Sequence, residues 1–172
     1  TDYIEPATAC IVQERLGFSK ETYATDIALG CSGWVYGMSS AASLIGAKGL
    51  KKVLLMVDDA KRRFPSCDPL FGYAGTVTAL EYDESAAPLN FHFGTDGSGF
   101  DAIIIPDGGS RNQISQSSFE VEVIDGKEYN HLQTRMKGMD VFAFGISTVP
   151  KSVKKLAEHF GFDYLDYDYF VF

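Results

Sequence analysis

The sequence predicts an α/β protein, and three observations support that class. Helical periodicity alternates with short apolar runs through the first third of the chain, as in helices packed on a mainly parallel sheet. Residues 53–57 are apolar at every position, which is typical of a strand buried on both faces. Residues 149–160 carry apolar side chains at helical spacing, with Pro150 near the start and Gly161 just past the end.

The first third justifies the class element by element. Residues 6–17 predict a helix, because proline suits the first turn and Gly17 suits the position after the last turn. Residues 23–29, which are mostly apolar, predict a strand. A short Gly-Cys-Ser-Gly turn at residues 30–33 then leads into a second helix that ends near Gly46 and Gly49.

The rest of the chain predicts a mixture of short strands and long helices. Strands are expected within residues 71–82, 89–93, 102–105, 119–123 and 167–172, and residues 94–99 form a loop by composition. A long helical region is expected over about residues 127–147, before the amphipathic helix that contains Pro150.

Composition and charge exclude several classes of protein. The 172 residues are 45% hydrophobic and 22% charged, which excludes a disordered chain. With 15 Lys and Arg against 23 Asp and Glu, the net charge is −8, so no nucleic-acid partner is expected. No apolar run reaches membrane-spanning length. Three cysteines without paired spacing, and three scattered histidines, predict no metal site and a cytoplasmic location.

Cys31 is the first candidate for chemistry. It lies between Gly30 and Gly33 where a predicted strand passes into a helix, and the positive end of a helix dipole favours the nucleophilic thiolate. The alternative interpretation is a buried structural cysteine. Cys10, in an apolar helix, and Cys67, in a loop next to proline, have no such glycine turn, and we interpret both as structural.

Several short motifs occur in an order that resembles the β-ketoacyl-acyl-carrier-protein synthase III family along nearly the whole chain. Taken singly each motif is weak, and it is their common order that makes the resemblance specific. The motifs are PATACIVQ (6–13), DIALGCSG (26–33), LFGYAGT (70–76), GTDGSG (94–99), MKGMDVF (136–142) and DYDYFV (166–171).

The resemblance implies an incomplete thiolase-like fold with a layered αβαβα arrangement. Residues 1–88 would be the latter part of the first α/β half and residues 89–172 the first part of the second half, packed as one compact unit. Cys31 would be the catalytic nucleophile that accepts an acyl group from acyl-coenzyme A before condensation with malonyl-acyl carrier protein. Gly138 and Phe142 would line the substrate-binding channel for pantetheine, with Phe142 as a core residue left as the alternative.

The resemblance also implies partners, and the sequence departs from the family pattern at several positions. It implies acyl-coenzyme A and the phosphopantetheine of acyl carrier protein as substrates, no tightly bound cofactor, and a homodimer. Glu5, Tyr73 and Ala143 replace an apolar, an acidic and a basic residue that the family usually has. The family's histidine follows the segment matched by residues 170–172 and its asparagine lies further on, so we expect the 172 residues alone to be inactive.

Two alternatives to an acyltransferase remain open at this stage. One is a catalytically inactive fragment or degenerate homologue that acts as a folded pairing domain, which the missing histidine and asparagine favour. The other is a cysteine-dependent enzyme of a different class that uses His92 or His131, each of which lies outside the family's motif position.

Overall fold

The computed structural model of the protein describes residues 3–59 and 72–171. Within these ranges the helices are α1 (Thr8–Arg15), α2 (Gly33–Gly46) and α3 (Gly138–Phe160). The strands are β1 (Lys52–Asp59), β2 (Ala74–Glu81), β3 (Ile103–Ile104), β4 (Glu122–Ile124), β5 (Lys127–Tyr129) and β6 (Arg135–Met136). Single 3₁₀ turns span Gly97–Gly99, Gln116–Phe119 and Tyr164–Asp166.

The described chain divides into two compact units. The first contains the residues up to Val57 together with Thr76–Ala86, and the second contains the remaining described residues. The described strands pair as β1 with β2, β3 with β6 and β4 with β5. The expected division into residues 1–88 and 89–172 as halves of a larger fold stays a prediction.

Helix α1 ends as its sequence predicts. Gly17 has φ +67°, and its N–H donates to the carbonyl of Glu14 while the N–H of Phe18 donates to that of Gln13. These two bonds form the Schellman motif, in which a left-handed residue just beyond the helix satisfies its last carbonyls. The predicted stop signal at Gly17 is confirmed.

Helix α2 packs closely against β1. Ala41 and Ile45 are buried on one side of α2, and a Cβ added at Gly37 would lie 2.6 Å from Cδ1 of Leu55. Gly37 therefore allows the helix backbone to approach the strand. Burial along β1 alternates, however, and Leu54 and Met56 are 45% and 40% exposed. The prediction of a strand buried on both faces is wrong for the described structure, because only its alternate residues face the helix.

A residue other than glycine takes the left-handed position at the end of α2. The helix stops at Gly46, as expected. Lys48 lies just beyond it with φ +57°. Lys48 and Gly49 donate their N–H groups to the carbonyls of Ile45 and Leu44, which again completes a Schellman motif.

The start of β1 lies beside the end of β2, and the end of β1 lies beside the start of β2. The N–H of Tyr82, just past β2, donates to the carbonyl of Lys51, just before β1, and Gly75 near the start of β2 lies beside Asp58 near the end of β1. These contacts correspond to antiparallel pairing. The predicted strand at residues 23–29 is wrong, since this segment has no assigned regular structure. The expected parallel order of the first third is therefore not found among the described residues.

The predicted helix over residues 127–147 is wrong in its first half. Strands β4 and β5 form an antiparallel hairpin in which Ile124 faces Lys127. The two connecting residues, Asp125 and Gly126, have φ +52° and +75°, which is the geometry of a type I′ turn. The Asp-Gly pair selects that turn because both of its positions require positive φ, and the helix begins only at Gly138.

Helix α3 is one continuous helix rather than two. Pro150 lies inside it, and Gly161 follows it with φ +70°, as predicted for its end. The strands expected at residues 89–93 and 167–172 are not found in the described residues, which end at Val171 and leave Phe172 outside. Strand β3 confirms the expectation at residues 102–105. Residues 119–123 contribute only to the start of β4, since Phe119 closes the preceding 3₁₀ turn.

Candidate functional site

Cys31 is exposed in a tight turn immediately before α2. The N–H of Gly33 donates to the carbonyl of Gly30 at 2.8 Å, and this bond closes the turn around Cys31 and Ser32. The carbonyl of Ser32 accepts the N–H of Tyr36 at 3.1 Å, which is the first bond of the helix. The thiol therefore belongs to a residue at the positive end of a helix, as the sequence predicts. The alternative of a buried cysteine is wrong, because Cys31 is exposed.

The glycines beside Cys31 provide space rather than an unusual backbone. A Cβ at Gly30 would have no atom within 4 Å, and a Cβ at Gly33 would meet only Leu29 at 3.8 Å. Neither glycine has the positive φ that would require it. The backbone conformation of the turn therefore does not depend on glycine, and the open space beside Gly30 agrees with close approach of another molecule.

Two polar contacts organise the segments on either side of this turn. Both carboxylate oxygens of Asp26 accept backbone N–H groups from the first turn of α1, at 2.7 Å from Thr8 and 2.8 Å from Ala9. This arrangement is a helix N-cap supplied from another part of the chain. Within α2, Nε1 of Trp34 donates to Oγ1 of Thr78 on β2 at 3.0 Å. The role of Asp26 is therefore to join α1 to the segment before the cysteine.

Cys10 gives a useful contrast with Cys31. It lies within α1 and is exposed, so the prediction of a buried structural role for it is wrong. It has no adjacent glycine turn. Cys67 lies outside the described residues.

Gly138 and Phe142 lie in the first two turns of α3. The N-cap residue Lys137 is held by two contacts, because its N–H donates to the carbonyl of Ala102 at 2.8 Å and its Nζ lies 2.6 Å from Oδ2 of Asp101. The hydrogen bond of this ion pair raises the pKa of Lys137 and lowers that of Asp101. The pair fixes the start of the helix on which both predicted substrate-binding residues lie.

Both residues are accessible within the second unit. A Cβ at Gly138 would have no atom within 4 Å, and Phe142 is 60% exposed. Met139 and Ile146, which share its helical spacing, are 77% and 62% exposed. The alternative that Phe142 is a core residue is wrong in the described structure. Cys31 belongs to the first unit and these two residues to the second.

A charged cluster around His131 is absent from the motifs. Nδ1 of His131 lies 3.2 Å from Oδ2 of Asp107, and Nε2 lies 2.9 Å from Oε1 of Glu122. The hydrogen bond to Glu122 raises the pKa of His131, and the same bond lowers the pKa of Glu122. The other carboxylate oxygen of Glu122 lies 3.2 Å from Nη2 of Arg135. We refer to His131, Asp107, Glu122, Arg135 and Ser118 as the His131 cluster.

The histidines expected in the alternative cysteine enzyme have other partners. His131 contacts two carboxylates, and Nδ1 of His92 lies 2.9 Å from Oγ of Ser152. In sequence, only the Asp-Gly turn that pairs β4 with β5 could have indicated that Glu122 and His131 lie close together.

Comparison with known proteins supports one family. A family model described as 3-oxoacyl-[acyl-carrier-protein] synthase III matches residues 25–97, a span that contains Cys31. A putative 3-oxoacyl-[acyl-carrier-protein] synthase 3 of Campylobacter jejuni is 30% identical over 99% of this chain and 50% of its own length. A β-ketoacyl-[acyl-carrier-protein] synthase III of Clostridioides difficile is 31% identical over 96% of this chain and 49% of its own length.

Solved structures show the same similarity. A crystal structure of a 3-oxoacyl-(acyl-carrier-protein) synthase III is 31% identical, with a TM-score of 0.88 over 97% of this chain and 52% of that protein. A 3-oxoacyl-(acyl-carrier protein) synthase of Burkholderia xenovorans is 32% identical, with a TM-score of 0.78 over 97% of this chain and 48% of its own.

These similarities show that the chain is an α/β protein of the thiolase-like fold. The chain is similar to 3-oxoacyl-acyl-carrier-protein synthase III proteins along nearly its whole length, and it spans about half the length of the curated relatives that it matches. Within residues 3–59 and 72–171, no helix has both the length and the apolar character required to cross a membrane.

Proposed function

We propose that this chain is part of an acyltransferase of the synthase III type and that Cys31 is its acyl-accepting nucleophile. The observation that carries the proposal is the exposed Cys31 turn before α2, at the position of the family's nucleophile motif and inside the segment that matches the family model. In the complete protein the substrates would be acyl-coenzyme A and malonyl-acyl carrier protein. We place the protein in the cytoplasm, as a homodimer.

The proposed chemistry has two steps. The Cys31 sulfur attacks the thioester carbonyl of acyl-coenzyme A, coenzyme A leaves as its thiol, and the acyl group remains on Cys31. In the second step, malonyl-acyl carrier protein loses carbon dioxide, and the resulting carbanion attacks the acyl carbonyl. Once the new carbon–carbon bond has formed, the bond between the acyl carbon and the Cys31 sulfur breaks. The Cys31 thiolate leaves, and the product is 3-oxoacyl-acyl carrier protein.

The transfer of the acyl group to Cys31 depends on how accessible the Cys31 sulfur is and on the space beside it. A nucleophile needs an accessible sulfur and space for the incoming carbonyl, and the exposed turn with open space beside Gly30 supports both requirements. Gly138 and Phe142 would contact the pantetheine arm. The exposed phenyl ring of Phe142 suits the apolar part of that arm, and the missing side chain of Gly138 leaves room beside the helix start.

A second candidate is a non-catalytic pairing domain. The observation that favours it is the group of departures from the family pattern at Glu5, Tyr73 and Ala143. Large exposed apolar side chains on α3, such as Met139 and Ile146, agree with a surface that another chain covers. This candidate predicts a folded chain that binds a synthase subunit without accepting an acyl group.

Acylation of the chain by acetyl-coenzyme A separates the two candidates. Intact-mass and peptide mass spectrometry should show one acetyl adduct on the peptide that contains Cys31. The adduct should disappear in Cys31→Ala and persist in Cys10→Ala, which removes the other exposed cysteine among the described residues. A folded chain that stays unmodified, or an adduct that follows Cys10, would contradict the acyltransferase proposal for this chain.

Condensation is the second test. The 172 residues alone should form no 3-oxoacyl product from acetyl-coenzyme A and malonyl-acyl carrier protein. The family's histidine and asparagine, which have no match in these residues, stabilise the developing oxyanion, and such stabilisation accounts for several orders of magnitude in rate. Product formation that depends on Cys31 would rule out the pairing-domain candidate. It would also show that other residues of this chain replace the family's histidine and asparagine.

A further inference from the structure

We propose that the His131 cluster is a proton-operated clasp, which holds the loop of residues 107–112 against the β4–β5 hairpin region and releases it when His131 loses a proton. The clasp lies entirely within the second unit. It goes beyond the proposed acyl transfer and does not depend on it.

The geometry suits a doubly protonated imidazole. Both ring nitrogens of His131 face a carboxylate oxygen, at 3.2 Å for Asp107 and 2.9 Å for Glu122. An imidazolium has two N–H donors and can satisfy both carboxylates, whereas neutral imidazole has one donor and one acceptor. In the neutral ring, a nitrogen lone pair would therefore point at one of the two carboxylates, and that contact would become repulsive.

The side that opens is the Asp107 side. The Glu122 contact is the shorter of the two, so the remaining proton stays on Nε2 and Nδ1 becomes the acceptor. Asp107 also has another donor, because Oγ of Ser118 lies 2.8 Å from the same carboxylate oxygen. Ser118 is fully buried. Asp107 can thus keep one hydrogen bond after its contact with His131 is lost.

Charge balance favours the same outcome. The charged groups that face His131 are Asp107, Glu122 and Arg135. Two cations balance two carboxylates when His131 is protonated, and one carboxylate is left uncompensated when it is neutral. The protonation state of His131 therefore sets the net charge of this cluster.

The loop is joined to the clasp through main-chain bonds. The N–H of Asp107 donates to the carbonyl of His131 at 3.0 Å, and the N–H of His131 donates to the carbonyl of Ser118 at 3.1 Å. The loop itself turns back on itself, since the N–H of Gly108 donates to the carbonyl of Asn112 at 2.9 Å. Loss of the side-chain contact should first loosen the Asp107 bond and then the turn beyond it.

The direction of the pH effect follows from the raised pKa of His131. A basic group whose pKa is raised by folding contributes stability that is fully present below its unfolded pKa of about 6.5 and is lost as the pH rises through its folded pKa. The clasp is therefore closed at acidic pH and opens toward alkaline pH.

Nuclear magnetic resonance of the 172-residue chain tests the clasp. The ring of His131 should titrate above 6.5, and Glu122→Gln should bring its midpoint down. Amide hydrogen exchange at Asp107 and Gly108, corrected for the intrinsic pH dependence of exchange, should lose protection several-fold across the same titration. In His131→Gln that loss of protection with pH should disappear, whereas His159→Gln, which alters an exposed histidine at the end of α3, should leave it unchanged.

Two results would overturn the clasp. One is a His131 titration at or below 6.5 in the unaltered chain, a measurement that does not depend on whether any variant folds. The other is protection at Asp107 that stays constant through the titration of His131, which would show that the cluster is a static structural contact. Neither result bears on whether Cys31 accepts an acyl group.

Discussion

The turn around Cys31 and the cluster around His131 are built in opposite ways. Main-chain bonds form the turn: Gly33 to Gly30 closes it, and Tyr36 to Ser32 starts the helix behind it. Charged side chains form the cluster, in which two carboxylates face one imidazole. The turn leaves the Cys31 side chain exposed, whereas the cluster places every polar atom of His131 against a partner.

The difference shows that a sequence motif indicates a site built from neighbouring residues, whereas a shifted pKa indicates a site built from residues far apart in sequence. The glycine-flanked cysteine is visible in sequence because a short local segment carries it. The pKa of His131 is raised by residues 9 and 24 positions away along the chain, so no local pattern indicates it. A search by either signal alone would find one region and miss the other.

Ser118→Ala should have the largest effect of three substitutions that probe this contrast. Oγ of Ser118 donates to Asp107 and accepts the N–H of Ser115, so its removal takes one hydrogen bond from each of these groups and leaves a gap at a fully buried position. We expect a loss of about 2 kcal/mol in the free energy of unfolding, measured with urea. Ser117→Ala is the matched control, because Ser117 is exposed on the same 3₁₀ turn, and it should change the stability little. Equal effects of the two substitutions would contradict the role of the buried hydroxyl.

Gly37→Ala tests the region after Cys31, where shape rather than charge is decisive. The added methyl group would meet Leu55 at 2.6 Å. Overpacking costs about 1–3 kcal/mol, and the better helix propensity of alanine returns about 1 kcal/mol, so we expect a net loss of about 1 kcal/mol that does not vary with pH.

Gly46→Ala on the same helix is the control for Gly37→Ala. An added Cβ at Gly46 would have no atom within 4 Å, so this substitution should stabilise the protein through helix propensity alone. Thermal unfolding followed by circular dichroism measures both variants. If Gly37→Ala also stabilised the chain, the close approach of α2 to β1 would be absent in solution.

Lys48→Gly should have the smallest effect, and in the favourable direction. Lys48 has φ +57° at the end of α2, a conformation that glycine adopts without steric cost. Because glycine also gains freedom in the unfolded chain, we expect a net increase of only about 0.5 kcal/mol in the free energy of unfolding. Lys51→Gly, outside the left-handed region, should lower the stability instead.

Local signals predicted the first two helices well. The proline and glycine around α1 and the 3.6-residue spacing of α2 act within a few residues of the structure that they specify, and both helices are found. The candidate cysteine was predicted for the same reason, since its turn and helix are adjacent in sequence.

The strands of residues 53–57, 71–82 and 102–105 were predicted correctly. Other strand predictions were wrong and the charged cluster was missed, because both depend on distant partners. Residues 23–29 have strand-like composition, yet the described structure uses Asp26 to cap α1 instead. The hairpin was missed for a different reason: apolar spacing favoured a helix, whereas Asp125-Gly126 specifies a type I′ turn. Once that turn is placed, β4 and β5 follow, and Glu122 comes within reach of His131.

Pro150 lowers the bending stiffness of α3 at one point along the helix. Because proline has no N–H, the carbonyl of Ile146 lacks the helical bond that residue 150 would otherwise donate. The bending stiffness of the helix is therefore lowest at this point, between the part that carries Gly138 and Phe142 and the part that buries Ala157. We therefore expect the first part of α3 to tilt slightly at Pro150 without disturbing the packing of the second part.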